Sequence, residues 1–286
     1  MKKLSTIKIA IPNKGRLRDP SLELLKAAGY RFRIKERMLY ATCSNAGVTL
    51  IFLRADDIPL LVASGIVDLG ITGQDLVREK NAKIKEILPL ELGKCRLCVA
   101  VSDNFKYKNP ASLDGKRIAT SFPNITKSFF KKNRAAIDCL EMSGALEITV
   151  GLGLADAIVD IVETGDTLRE NKLRVVEDIG TYQTSLIGNA KSALSPEVKQ
   201  IRRRLEGILI ARRYSMLEYN IKKELFKKAE TITPGFEAPT VSEIDEAGWC
   251  AVKVMVEKKQ VIEVMDRLES LGATAILETE IKNCRL

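Results

Sequence analysis

Residues 153–168 read GLADAIVDIVETGDTL, and the fold of the middle of the chain follows from how this run is read. With helical periodicity, Asp156 and Asp160 stand at i and i+4 and share one face, while Ile158, Val159, Ile161 and Val162 pack against a core. Thr164-Gly165-Asp166-Thr167 then supplies hydroxyls and backbone N–H groups, with Gly165 free to take a positive φ. Thr167 and Glu170 form a T-x-x-E pair that opens a new helical turn. An anion placed there meets unsatisfied N–H donors and the positive end of a helix dipole, and the two carboxylates can accept hydrogen bonds from sugar hydroxyls. The expectation is an amphipathic helix followed by a loop that holds a phosphorylated sugar. The same residues also describe a plain solvated helix, with Gly165 at its C′ position and Thr167 as an ordinary cap.

Outward from this stretch, apolar runs alternate with helical patterns. Residues 7–12 and 48–53 read as strands. Asp19 caps a helix that has Pro20 in its first turn and ends near Gly29. Ile58 to Gly65 is a short helix, and Val67 to Thr72 a strand closing on Gly73-Gln74-Asp75. A second unit starts with CRLCVAV at 95–101 and continues with a strand at 116–120, a turn at 121–124, a helix from Lys127 and a strand over 146–150. Such alternation predicts α/β lobes with largely parallel sheets and a ligand crevice at the carboxyl ends of the strands. Beyond residue 213 the pattern becomes strand, helix, strand, strand, helix, strand, a ferredoxin-like βαββαβ order. Its helix over 260–272 carries Val261, Val264, Met265, Leu268 and Leu271 on one face.

The composition narrows the chemistry. With 286 residues, 45% hydrophobic, the chain has room for two or three buried cores. There is no histidine, which excludes Ser-His-Asp triads and imidazole metal ligation. The net charge of +9 with only 5% aromatic residues fits small polyanionic ligands at least as well as nucleic acid. Of the cysteines, only Cys95 and Cys98 form a C-x-x-C. It stands in an apolar strand-like run without a second pair at zinc spacing, so structural thiols are expected. No targeting or membrane-spanning segment is visible, and a cytoplasmic location is expected.

Taken in order, IPNKGRL at 11–17, RADDIPLLVASGIVDLGITGQDL at 54–76, GKCRLCVAV at 93–101, GKRIATSFP at 115–123, GLADAIVDIVETGDTL at 153–168 and TPGFEAPT at 233–240 resemble the long form of ATP phosphoribosyltransferase over nearly the whole chain. The resemblance implies an α/β fold: two lobes like those of type II periplasmic binding proteins and an ACT-like, ferredoxin-like C-terminal domain. The expected boundaries are 1–92 with 181–212, 93–180, and 213–286. It implies that adenine N1 of ATP attacks C1′ of 5-phosphoribosyl 1-diphosphate (PRPP) and releases diphosphate, as the first step of histidine biosynthesis. Because neutral N1 is already a nucleophile, alignment and stabilisation of the leaving charge carry the catalysis, with Mg²⁺ as cofactor.

By residue, the resemblance implies that Asp156, Ala157 and Asp160 hold the ribose and Thr164, Gly165, Asp166 and Thr167 its 5-phosphate. The Asp166 carboxylate is expected to turn away. Lys14, Arg16 and Arg54 meet the polyphosphates, and Gly73, Asp75, Thr120, Ser121 and Pro123 border the nucleotide. Histidine, as feedback inhibitor, is expected near Asn220, Thr240, Met255, Ala273 and Ala275, with Asn220 standing where some relatives carry an acid. The implied assembly is a homo-oligomer, from dimer to hexamer, with neither a nucleic-acid nor a membrane partner. A solute-binding or effector module is the competing reading, but it would bring an export signal or a helix-turn-helix. A different PRPP-using transferase would place its acids at the end of a strand before the loop, whereas here they are read on a helix.

Overall fold

Ile7–Pro12 is apolar at nearly every position and forms β1, buried on both faces, which is why it reads as a continuous run rather than an alternating one. The computed structural model describes residues 6–35, 38–162 and 165–285. After β1 come α1 (Arg18–Ala27), β2 (Tyr40–Thr42), β3 (Val48–Leu53), α2 (Ile58–Ala63), β4 (Leu69–Gly73), α3 (Gln74–Glu79) and β5 (Lys85–Pro89). The chain continues through β6 (Cys95–Ser102), β7 (Arg117–Thr120), α4 (Pro123–Lys132), β8 (Asp138–Glu141), α5 (Glu147–Gly151), β9 (Ala157–Val162), α6 (Asp166–Glu170), β10 (Leu173–Tyr182) and β11 (Thr184–Gly188). Last are α7 (Pro196–Arg213), β12 (Tyr214–Lys222), α8 (Phe226–Ile232), β13 (Thr240–Glu243), β14 (Trp249–Glu257), α9 (Val261–Leu271) and β15 (Thr274–Glu280).

The chain divides into two compact units, residues 1–22 with 31–199 and residues 23–30 with 200–286. The first holds two sheets, ordered β2-β3-β1-β4-β11-β5 and β10-β6-β9-β7-β8. Both are mixed rather than largely parallel. β1 runs parallel to β3 and β4, and β7 runs parallel to β8 and β9, while β11, β6 and β10 pair antiparallel with their neighbours. Strand β11 returns from the second sheet to sit between β4 and β5 of the first, so the chain crosses between the sheets twice.

Two elements differ from the sequence reading. Residues 157–162 form a central strand between β6 and β7, not an amphipathic helix. Ile158 and Val159 are fully buried, each such burial contributing about 1.5–3 kcal/mol, and β-branched residues suit a pleated, buried surface better than a helix. The preceding Glu147–Gly151, expected as a strand, is the short helix α5. Asp156 and Asp160 therefore do not share a helix face: Asp156 precedes β9 and Asp160 lies near its carboxyl end.

The strand geometry also settles the C-x-x-C. Residues three apart on a strand point to opposite faces, and Cys95 joins the core cluster with Leu97 and Tyr182 while Cys98 joins another with Ala100 and Ile158. Both are buried free thiols. Cys98 donates to Asp178 Oδ1 at 3.0 Å, and burial foremost, then this carboxylate, pushes its thiol up to about 12.

In the second unit β12–β15 form an antiparallel sheet in the order β13-β14-β12-β15, the ferredoxin-like arrangement the sequence predicts. Leu217, Tyr219, Ile221, Cys250, Val252 and Val254 alternate along β12 and β14 into a core that α8 and α9 cover with Ala229, Val261, Val264 and Leu268. Helix α7 contains Gly207, where an added Cβ would run into the Cys284 carbonyl of the C-terminal tail; Cys284 N donates to Gly207 O at 3.3 Å. Among the described residues no helix is long and apolar enough to cross a membrane.

Candidate active site

Parallel strands end together, and the loops that follow them share one edge of a sheet. In the first sheet β1, β3 and β4 deliver Lys14 and Arg16, then Arg54, then Gly73 and Asp75 to such an edge. In the second, β7 leads to Ser121–Pro123, and Gly165 stands at the start of α6 after β9. A cavity of about 440 Å³ joins the two edges. It is lined by Arg16 from the first sheet's loops and by Glu147, Asp160, Ile161, Val162, Gly165, Thr167 and Leu168 from the second sheet's side. Lys14, Arg16 and Arg54 are exposed.

Asp160 is the perturbed acid of this cavity. Its Oδ1 accepts the N–H of Ile161 at 2.8 Å, yet burial, with the nearby Glu147 charge adding, raises its pKa to about 6. Glu147 is a lining residue that sequence reasoning missed: in a strand over 146–150 nothing marks its acidic residue, which instead opens the short helix α5. Gly165 caps α6 in the left-handed region at φ 79°. A Cβ there would meet only ordinary contacts, so glycine serves the conformation rather than the space. The Asp166 carboxylate is paired with Arg169. Thr167 is exposed, and Thr164 lies outside the described residues.

Other expected residues stand apart from this cavity. Asp156 accepts the N–H of Arg117 at 3.0 Å and pairs with Lys116 at 3.6 Å. It lines a different pocket, with Gly115, Asp138 and Leu154. Four residues along a strand separate it from Asp160 by about 13 Å. Ala157 is fully buried in the sheet core, paired with Val101 and Ile118. Thr120 is fully buried too: its Oγ1 accepts the N–H of Phe122 at 2.9 Å and lies 3.4 Å from Thr126 Oγ1. Ser121 and Pro123 are half-buried at the start of α4.

Gly73 allows a close approach, but from within the chain: a Cβ there would collide with the Asp75 carboxylate. Asp75 is 4% exposed, and burial raises its pKa against the pull of the Leu76 N–H and the Arg16 charge. A second acid that sequence reasoning missed is Glu79, buried at the end of α3, whose two oxygens accept the N–H groups of Asn124 at 2.9 Å and Ile125 at 3.0 Å. A short helix opening directly on Gly73 leaves too little periodicity to be seen.

In the second unit Asn220 on β12, Thr240 on β13 and Met255 on β14 stand on the sheet face opposite the helix-covered core, by their register with Ala251, Lys253 and Met216. Ala275 sits at φ 49° where the β12–β15 register shifts. Ala273 is packed within the core cluster instead.

The family model for ATP phosphoribosyltransferase matches residues 54–207, and that for its C-terminal domain matches 211–283. ATP phosphoribosyltransferase of Rhodopirellula baltica is 46% identical over 99% of this chain and 94% of its own. That of Candida albicans is 39% identical over 97% and 96%. Among solved structures, the ATP phosphoribosyl transferase (HisG:HisZ) complex from Thermotoga maritima superposes with a TM-score of 0.64 at 27% identity, over 71% of this chain and 98% of that one. A putative L-cystine ABC transporter from Listeria monocytogenes, with a TM-score of 0.50 at 17% identity over 72% and 90%, shares the two-lobed fold alone. Asp160 stands near the end of a strand, the placement expected of other PRPP-using transferases too, and the whole-length identity separates this chain from them. The chain belongs to the long-form ATP phosphoribosyltransferase family, enzymes that join ATP to PRPP in the first step of histidine biosynthesis.

Proposed function

We propose that PRPP lies in the cavity between the two sheet edges, with its 5-phosphate at the Gly165–Thr167 turn and its ribose hydroxyls donating to Asp160. The observation that carries this reading is the meeting of Arg16 with Asp160, Gly165 and Thr167 in one cavity. The left-handed Gly165 places the first turn of α6 at the cavity, and Thr167 adds a hydroxyl. Thr164 completes this cradle by resemblance. Arg16, with Lys14 and Arg54, faces the diphosphate, and ATP is met by the segments that carry Asp75, Ser121 and Pro123.

In the reaction the adenine N1–C1′ bond forms as the C1′–diphosphate bond breaks, and the N6 proton is released. Cationic side chains stabilise the departing charge, and alignment of N1 with C1′ supplies the rest. Among the described residues no cluster of three or more metal-ligating side chains is present. Mg²⁺ typically takes one or two carboxylates plus substrate phosphates, and the cavity lining offers two, Glu147 and Asp160. Glu147 and Asp160 are the oxygen donors that would hold it, and it would neutralise charge on the leaving diphosphate.

Residues 213–286 are read as the regulatory domain, with histidine as feedback inhibitor near Asn220, Thr240 and Met255; Ala275 stands at the rim and Ala273 acts only through packing. A cytoplasmic homo-oligomer, dimer or hexamer, fits the same reading. PRPP titrated into Thr167→Ala by calorimetry tests the donor site: binding should weaken by about tenfold, and unchanged affinity would move the 5-phosphate elsewhere.

A further inference from the structure

Helix α3 grows out of β4 of the first sheet, yet its far side is built into the second sheet's half of the same unit. Leu76 packs on the core cluster that contains Phe122, Ile125 and Tyr182, and Arg78 Nη1 donates to the Tyr182 hydroxyl at 3.2 Å. At its end stands Glu79, 3% exposed. The N-cap of α4, Phe122, has no side-chain acceptor to offer the first turn, and no side-chain cap bond comes from it. Glu79 supplies that cap from another element, its Oε1 and Oε2 taking the N–H groups of Asn124 and Ile125. Asn124 returns the bond: its Nδ2 donates to the Glu79 carbonyl at 2.9 Å, satisfying an orphan acceptor at the end of α3. The two helices thus cap each other reciprocally, and the anion that the α4 dipole favours is already in place.

We propose that Glu79 is a positioning residue for the acceptor nucleotide, tying together the two walls of its binding crevice. One wall is the start of α3, with Gly73 and Asp75; the other is the segment Ser121–Pro123 leading into α4. The buried Glu79 carboxylate, with the returning Asn124 amide, fixes the spacing between them. Of the donor cavity's lining, Asp160, Gly165 and Thr167 lie on the second sheet's side and only Arg16, from the loop after β1, comes from the first, so the donor site depends on this tie less than the nucleotide site does. The proposal rests on the nucleotide assignment made above.

The test is steady-state kinetics of the full-length enzyme carrying Glu79→Gln, an isostere that keeps one acceptor oxygen and turns the second bond into a donor–donor conflict. The KM for ATP should rise about fivefold or more while the KM for PRPP stays within about twofold. Glu79→Ala should exaggerate the same split if it folds; Glu79→Gln carries the test if it does not. Parallel rises in both KM values with a lowered melting temperature would reduce Glu79 to a structural cap and overturn the proposal, as would an unchanged KM for ATP. Asp75→Asn and Ser121→Ala separate the two levels. If they raise the KM for ATP and Glu79→Gln does not, only the role of Glu79 falls; if they too leave it unchanged, the nucleotide assignment has failed and the proposal with it.

Discussion

The two ends of β9 carry acids of opposite character. At the amino end Asp156 is stitched into structure by a backbone N–H and the Lys116 ammonium. At the carboxyl end Asp160 has one backbone bond, a like-charged neighbour in Glu147, and a pKa raised to about 6 by burial. One acid contributes to holding the sheet; the other is held at a cost in folding stability. Destabilised groups of that kind gather where a ligand will later supply the missing partners.

The contrast is broken most forcefully at Asp160. Replacing it by Asn should lower kcat/KM for PRPP by about a hundredfold while making the protein more stable at pH 7.5, by up to about 3 kcal/mol. The sign follows from linkage. Because the folded pKa lies above the unfolded one, the native state binds more protons between about pH 4 and 6, and the wild type gains stability as pH falls through that window. Activity should move the other way, declining below about pH 6 as the carboxyl loses its acceptor character. Thermal melts and rate profiles of both proteins over that range check it; a stability profile in Asp160→Asn parallel to the wild type would dissolve the distinction.

Gly165→Ala should come next. The left-handed backbone costs a side chain about 1–2 kcal/mol, so the turn should shift and the KM for PRPP rise by about tenfold. Binding of ATP alone, followed by calorimetry, should change little. The smallest effect on catalysis is expected at the other end of the strand. Asp156→Ala should leave kcat/KM within about threefold of wild type and instead lower stability by about 1–2 kcal/mol, the cost of an unsatisfied N–H and a lost exposed pair. A large kinetic defect there, with unchanged melting, would erase the difference between the two acids.

The C-terminal module was legible because its sheet has one covered face. Strands β12 and β14 therefore alternate, and α9 shows its stripe. Strand β9 is buried on both faces, so AIVDIV carries no period that separates strand from helix. The spacing of Asp156 and Asp160 compounded this, since residues four apart share a face in either geometry. The loop after β9 was legible because Gly165 and Thr167 mark it chemically whatever precedes them. Glu79 and Glu147 were not, because their significance lies in partners distant in sequence: Asn124 and Ile125 for one, Asp160 for the other.

The missing side chain at position 207 has its own consequence. Midway along an eighteen-residue helix, glycine is an unfavourable choice, and what it permits is the seat of Asn283, Cys284 and Arg285. Enlarging that position and deleting residues 283–285 are then two routes to one lesion.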